Sequence, residues 1–270
     1  MSELDAYIAA WSQACADVSA IIDELTADQW AAPSDCPGWS VQDVVAHLAA
    51  LETELATGRR PRDVPDVSGK TVSSAWTEAG VAERRENTPE QLIAEFRDAA
   101  ASRRQTLAAD PPTNPAAIPE PRPGNVPWDN ATLLRNRVLD VWVHEQDIRR
   151  AIGLPGGMDS PAAQITAATF AAALPFALAR KTGAAPGTRV AVVVDGIPAD
   201  LVLDEDGRAR PVDPAAGGAP DTTITMNRET LTILGAGRRT PDNLPPTARL
   251  EITGDRDLAA RFLAAMAVTP

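Results

Sequence analysis

The chain contains two histidines among its 270 residues, and one of them lies in the segment VLDVWVHEQDIRR. At the helical period of about 100° per residue, His144 shares one face with Asp140, a turn earlier, and with Asp147, about a turn later. Apolar residues border this polar stripe on both sides, so we expect its side chains to point into the core. The opposite face carries the residues that we expect to point towards solvent: Arg135, Gln146 and Arg149.

The carboxylates and the imidazole of this stripe admit two interpretations each. Because an unpaired buried charge is costly, Asp140 and His144 are either a hydrogen-bonded pair or two ligands of a metal ion. Asp147 either accepts a hydrogen bond from the His144 ring, as carboxylates behind metal-bound histidines do, or forms an ion pair with Arg137.

The second histidine, His47, favours the interpretation that these residues bind a metal. His47 lies in DVVAHLAALETEL, at the edge of another apolar arc, where a single histidine is usually structural. Both histidines, however, lie on core-facing stripes of different helices, and helical bundles place metal ligands in this way. His47, Asp140 and His144 together offer two nitrogens and one oxygen and leave a position open, as catalytic zinc requires. The same set also fits the iron of oxygenases, whose ligands usually lie on a β-scaffold.

The two cysteines are too few for a disulfide framework or a cysteine-rich zinc site. Cys15 lies on the apolar stripe of the first predicted helix, so we expect a buried structural thiol. Cys36 lies in the loop SDCPGW, which offers no neighbouring base, so we do not expect a catalytic thiol. Trp39 of the same loop is predicted to pack against the helices. Reduced thiols predict a cytoplasmic protein.

The composition argues against two classes of partner. The formal net charge is −12, and no basic stripe with interleaved aromatic residues occurs, so we do not expect nucleic acid as a partner. No run of 18 apolar residues occurs, and the first residues lack the features of a secretory signal, so we expect no membrane span and no leader.

Helices must position these side chains, and four segments with helical periodicity cover residues 4–25, 41–57, 89–109 and 131–152. Ser40 and Asp43 form a capping signature for the second helix, and Thr88 opens the third. Asn130 is predicted to cap the fourth helix and Gly153 to end it. A proline-rich loop joins the last two. The economical architecture is a four-helix bundle over residues 1–153.

Beyond this point the pattern is that of a small α+β domain over residues 154–270. A helix over about 160–182 is followed by strands and short helices. The predicted strands are 189–196, 199–207, 222–226 and 248–255, and the predicted short helices are 228–237 and 257–268. We therefore predict a two-domain α+β protein.

Two motifs resemble those of a known family. The stretch WAAPSDCPGWSVQDVVAHLAALE (30–52) and, after the proline-rich passage, DVWVHEQDIRRAIG (140–153) are similar in order and spacing to motifs of the mycothiol-dependent maleylpyruvate isomerase family. The first domain of that family is a DinB-like metal-binding bundle. Its second domain is sterol-carrier-like, and residues 154–270 resemble it.

This resemblance implies a zinc ion, or another divalent metal, held by His47, Asp140 and His144. The family commonly has glutamate where this chain has Asp140, which is one methylene shorter. The resemblance also implies a functional arginine in the second domain, Arg238 with Arg239 as the rival, suited to gripping a carboxylate. We expect Arg238 and the metal ligand His47 to take part in catalysis.

The implied chemistry uses mycothiol as a thiol cosubstrate, because a metal stabilises the nucleophilic thiolate. The thiolate would serve cis–trans isomerisation of a maleylpyruvate-like electrophile, or S-transfer. Two other functions are compatible with the residues: a module whose second domain binds a lipid or a small acid without catalysis, and a zinc-dependent hydrolase whose nucleophile is water. Metal content and thiol dependence distinguish the three.

Overall fold

A computed structural model describes residues 1–62, 64, 72–213 and 218–268 of the chain. Two compact units, Met1–Ile165 and Thr166–Pro270, make up the chain. The domain boundary predicted after Gly153 lies earlier than this division and stays a prediction. The chain combines a helical unit with a unit that contains a sheet, so the predicted α+β class is confirmed.

The first unit is built from helices. Its described residues form α1 (Glu3–Ile22), α2 (Ala27–Trp30), α3 (Val41–Thr57), α4 (Ser74–Ala82), α5 (Pro89–Ala109) and α6 (Asn130–Ala151). The four long helices pack side by side: α3 lies mainly against α5 and α1 against α6, while further contacts join α1 to α5 and α3 to α6. The large side chains buried among them include Trp11, Leu48, Leu92, Phe96 and Trp142.

Local sequence signals set the helix bounds. The Ser40 hydroxyl accepts a hydrogen bond from the Asp43 amide at 3.2 Å, and the Asp43 carboxylate accepts one from the Ser40 amide at 2.9 Å. This is the capping arrangement that the sequence predicts for α3. Thr88 and Gln91 form the same arrangement at α5. Gly58 ends α3 at φ +72°, a left-handed conformation that glycine adopts without strain.

The structure differs from the sequence prediction at three helix positions. The cap of α6 is Asp129, not Asn130: the Asp129 carboxylate accepts a hydrogen bond from the Thr132 amide at 2.8 Å, and Asn130 is already helical. The sequence also did not predict α2 and α4, because four and nine residues carry too little periodicity to be recognised. These short helices lie between the long ones.

The second unit contains a mixed β-sheet. Helix α7 (Pro161–Lys181) leads into it, and its described strands are β1 (Arg189–Val194), β2 (Ile197–Pro198), β3 (Leu201–Leu203), β4 (Ala209–Pro211), β5 (Thr222–Met226) and β6 (Leu250–Gly254). The sheet order is β4-β3-β1-β5-β6, and β2 pairs with β1. Strands β1 and β5 are parallel, with Val192 opposite Ile224, and the other pairs are antiparallel. A strand is present within each of the four predicted ranges, although the one predicted over 199–207 is shortened to β3, and β2 and β4 are additions.

Two short helices, α8 (Arg228–Gly235) and α9 (Arg256–Ala264), complete the second unit. Within the described residues, one helix segment, Pro161–Arg180, has the length and the apolar composition that could cross a membrane. Phe170, Leu174 and Leu178 of this helix are buried, whereas Phe176 is 55% exposed.

Candidate metal centre

The two histidines and Asp140 converge where α3 and α6 face each other. His47 Nε2 lies 3.3 Å from Asp140 Oδ1, and His144 Nε2 lies 3.7 Å from the same oxygen. The imidazole ring centroids are 4.7 Å apart. Both histidine side chains are almost fully buried, whereas that of Asp140 is 26% exposed. The helical phase of α6 therefore turns Asp140 and His144 towards α3, and the pairing of the two helices adds His47.

Asp147 fixes the orientation of the His144 ring. Its carboxylate is completely buried, and Oδ2 lies 2.9 Å from His144 Nδ1. Because an ionised carboxylate only accepts hydrogen bonds, Nδ1 carries a proton and the ring turns Nε2 towards Asp140. Of the two roles considered for Asp147, the structure shows the hydrogen bond to His144. Arg137 instead forms ion pairs with Asp140 and Glu52.

The ligand spacing fits a small divalent metal. Two ligand atoms at about 2.0–2.1 Å from a tetrahedral zinc ion are about 3.4 Å apart. The distance of 3.3 Å from His47 Nε2 to Asp140 Oδ1 agrees with this value, and the 3.7 Å from His144 Nε2 exceeds it by a few tenths of an ångström. Ligand atoms of the three residues all lie within 4.8 Å of one another. The donor set, two imidazoles and one carboxylate, is one that zinc accepts.

The charges of the three groups are strongly coupled. Burial raises the pKa of Asp140, but the charges of His47 and Arg137 outweigh this effect and hold that pKa well below its usual range. Burial lowers the pKa of His47. It acts in the same direction on His144, but hydrogen bonds from that ring to Asp147 and Cys36 prevail and raise its pKa to about 10. A metal at this site would therefore compete with a proton for His144 Nε2.

The loop between α2 and α3 forms one wall of the site. The Trp39 ring centroid lies 5.4 Å from that of His47 and 6.3 Å from that of His144, and Trp39 Nε1 donates a hydrogen bond to Glu78 at 3.1 Å. The prediction that Trp39 packs this loop against the helices agrees with these contacts. The structure adds that the packing surface is the pair of histidines.

The expectation that Cys36 has no neighbouring base is wrong. Its thiol is buried and lies 3.3 Å from Asp147 Oδ2 and 3.9 Å from His144 Nδ1. The loop reaches α6 because Arg150 binds Asp35 and Asp147 together, at 2.6 and 2.7 Å. Little in the sequence indicates this contact, because more than 100 residues separate the loop from α6. Cys15 is buried as predicted.

One prediction about the outer face of α6 is also wrong. Gln146 was expected to point towards solvent, but it is buried, as is Glu145 beside it. The turn after α6 folds back over them: a Cβ on Gly157 would lie 2.8 Å from Glu145 Oε1 and 3.1 Å from Gln146 Nε2. The Gly157 carbonyl also accepts a hydrogen bond from Trp142 Nε1. Helical phase indicates only the direction of a side chain, and a covering segment can bury either face.

Sequence reasoning missed Glu52, a completely buried carboxylate on α3. It accepts hydrogen bonds from Arg137, from Trp11 at 2.9 Å and from Arg103 at 3.2 Å. The signal that could have identified Glu52 was an acidic residue on a largely buried helix, five residues after His47. Arg238 belongs to the second unit, where it follows α8, is half-buried and donates a hydrogen bond to the Ala236 carbonyl at 3.1 Å. Its neighbour, Arg239, is half-buried as well.

The fold and the site define a class of two-domain proteins. A helical unit carries a candidate metal centre of two histidines and a carboxylate, and a unit with a mixed sheet follows it. Comparison with known families supports this classification. The profile of the mycothiol maleylpyruvate isomerase N-terminal domain matches residues 11–149, and that of the SCP-2 sterol transfer family matches residues 177–267. The chain therefore belongs to the mycothiol maleylpyruvate isomerase N-terminal domain family, as the sequence motifs predicted.

Similar proteins include two from Mycobacterium tuberculosis, from strains CDC 1551 / Oshkosh and ATCC 25618 / H37Rv, both described as uncharacterized. Each is 25% identical over 143 residues, which cover 51% of this chain and 53% of the relative. The chain thus spans about half the length of these relatives. Crystal structures of the mycothiol-dependent maleylpyruvate isomerase and of a histidine-to-alanine mutant of it are similar in fold, with a TM-score of 0.56 and 16% identity over 91% of this chain and 96% of theirs.

Proposed function

We propose that this protein is a metal- and mycothiol-dependent enzyme of the maleylpyruvate isomerase type. The observation that carries the proposal is the convergence of His47, Asp140 and His144 at zinc-like spacing. Family membership and the fold shared with the mycothiol-dependent maleylpyruvate isomerase support it. Zinc is the metal that this donor set favours, and reduced, buried thiols are consistent with the cytoplasm.

Each residue of the candidate site has a distinct proposed role. His47, Asp140 and His144 would hold the metal, which when bound stabilises a thiol as its nucleophilic thiolate. Asp147 keeps the His144 ring oriented, and the Trp39 ring covers the two imidazoles on the loop side. In the second unit, Arg238 is the proposed residue for gripping a substrate carboxylate, with Arg239 as the alternative.

The proposed cis–trans isomerisation needs no oxidant or reductant. The thiolate adds to the conjugated cis double bond of a maleylpyruvate-like substrate, and the electron pair moves into the adjacent carbonyl as an enolate. The former double bond is then single and rotates. When the enolate re-forms the carbonyl and expels the thiolate, the double bond returns in the trans configuration. In an S-transferase the enolate would instead take a proton and the adduct would be kept.

Turnover of maleylpyruvate by the purified, zinc-loaded chain tests the proposal. We expect isomerisation, followed by the change in ultraviolet absorbance, to require added mycothiol and to stop after treatment with a chelator. His47→Ala should be inactive under the same conditions. No turnover by zinc-loaded protein with mycothiol, on maleylpyruvate or on other electrophiles in a thiol-conjugation screen, would reject the enzyme.

A second candidate function concerns the second unit, because residues 177–267 match the SCP-2 sterol transfer family. In this alternative the unit binds a lipid or a small acid, and the helical unit is a scaffold. A chain that binds a fluorescent lipid analogue but holds no stoichiometric metal would favour it. Hydrolytic activity that persists without any thiol would favour the zinc-dependent hydrolase instead.

A further inference from the structure

The two oxygens of Asp140 have different surroundings. Oδ1 faces the histidines, at 3.3 Å from His47 Nε2 and 3.7 Å from His144 Nε2. Oδ2 accepts a hydrogen bond from Arg137 NH1 at 2.8 Å. The Arg137 side chain is 2% exposed, so little water screens this charged contact. One oxygen is thus directed at the candidate metal position, and the other is already occupied.

Arg137 is itself fixed by the buried Glu52. Its Nε and NH2 groups donate to Glu52 Oε1 at 3.2 and 2.8 Å, and Trp11 Nε1 donates to the same oxygen. Arg103 donates to Glu52 Oε2 at 3.2 Å. Because a guanidinium is planar and its donors form a rigid fork, a grip on Nε and NH2 determines where NH1 points. The cluster joins α1, α3, α5 and α6 and ends at Asp140.

Stability alone does not explain such a cluster. Removing Glu52, Arg103 and Arg137 from water costs free energy that their mutual attraction must offset, and apolar residues of similar volume often stabilise a core equally well or better. What a buried ionic cluster adds is a defined geometry. Here that geometry is delivered to one oxygen of Asp140.

We propose that Arg137, aligned by Glu52, is a positioning residue of the metal site. It occupies Oδ2 so that Asp140 binds a divalent metal through Oδ1 alone. This inference rests on the proposed function, because it requires that His47, Asp140 and His144 bind a metal. Single-oxygen binding keeps the protein ligands at three atoms and leaves a position for the thiol, whereas a two-oxygen carboxylate would fill it.

Cobalt substitution tests the inference without an activity assay. Co²⁺ is titrated into the metal-free protein, and its visible absorption reports coordination number, since four-coordinate Co²⁺ absorbs more strongly than five- or six-coordinate Co²⁺. In Arg137→Met, we expect a weaker spectrum and a loss of cobalt and zinc affinity of about 10- to 100-fold. The matched control is Arg84→Met, which removes another buried arginine, bound to Glu95 at 2.6 and 3.0 Å, and leaves Asp140 held.

The control should lose thermal stability but keep the wild-type spectrum and affinity. If Arg137→Met does not fold, Glu52→Gln is the second variant: it retains Arg137, weakens its alignment and should shift the spectrum in the same direction. Arg137→Lys, which can still donate to Oδ2, should partly restore the spectrum. Variant spectra and affinities equal to those of the wild type would overturn the inference alone. A wild type that binds no cobalt would overturn both the inference and the proposed function.

Discussion

Asp147→Asn separates the orientation of a metal ligand from the stability of the fold. The Asp147 carboxylate accepts from His144 Nδ1 at 2.9 Å and from Arg150 at 2.7 Å. An asparagine has the same shape but one acceptor oxygen, so it cannot serve both donors equally. Loss of a carboxylate behind a metal-bound histidine weakens metal binding by about 10- to 100-fold, which corresponds to about 1.4–2.8 kcal/mol. Breaking the buried pair with Arg150 should also lower the free energy of unfolding. We expect a loss of about 3 kcal/mol, at the lower end for a broken buried pair, because Asp35 still binds Arg150.

Zinc affinity is measured by competition with a chromophoric chelator, well below the melting temperature, and stability by urea unfolding of the metal-free protein. The matched control is Asp35→Asn, which removes the other carboxylate bound to Arg150 and leaves the Asp147–His144 hydrogen bond in place. The control should lose stability without losing zinc affinity. Equal zinc affinity in Asp147→Asn and the wild type would refute the proposed role of Asp147.

Three further predictions follow from other contacts. Gly157→Ala should lose about 2 kcal/mol in urea unfolding, because its φ is +76° and its Cβ would displace the buried ends of the Glu145 and Gln146 side chains, whereas Gly153→Ala, at φ +68° with open space, should lose about 1 kcal/mol; equal losses would contradict the contribution of this contact. Burial raises the pKa of Glu95, but the hydrogen bonds and charge of Arg84 prevail and lower that pKa from 4.5. Stability should therefore fall as the pH drops below about 4.5, and it should fall less in Glu95→Gln. Parallel melting curves against pH for the two proteins would contradict this. Co²⁺ should quench tryptophan fluorescence more in the wild type than in Trp39→Phe, since that ring adjoins both histidines, and equal quenching would place the metal elsewhere.

Local signals predicted the helices because capping depends on residues three apart. Ser40 with Asp43 and Thr88 with Gln91 form the expected hydrogen bonds, so the bounds of α3 and α5 agree with the sequence prediction. The cap of α6 was misassigned because two adjacent residues, Asp129 and Asn130, are both good caps and only the backbone conformation distinguishes them.

The candidate site was predictable only in part. Helical phase indicated that Asp140 and His144 share an inward face, but the register of α3 against α6, which brings His47 to them, depends on packing across the whole unit. The family resemblance supplied that pairing. The contact of Cys36 with Asp147 depends on a loop conformation, and the burial of Gln146 depends on the turn that covers it, so neither follows from periodicity.

Metal content of the purified chain, compared with that of His47→Ala and His144→Ala, shows whether the two histidines hold a metal. We expect about one equivalent of zinc in the wild type after reconstitution and dialysis, and none retained by either variant, with all three proteins folded by circular dichroism. A folded wild type that retains no metal, or variants that retain as much as the wild type, would contradict this expectation.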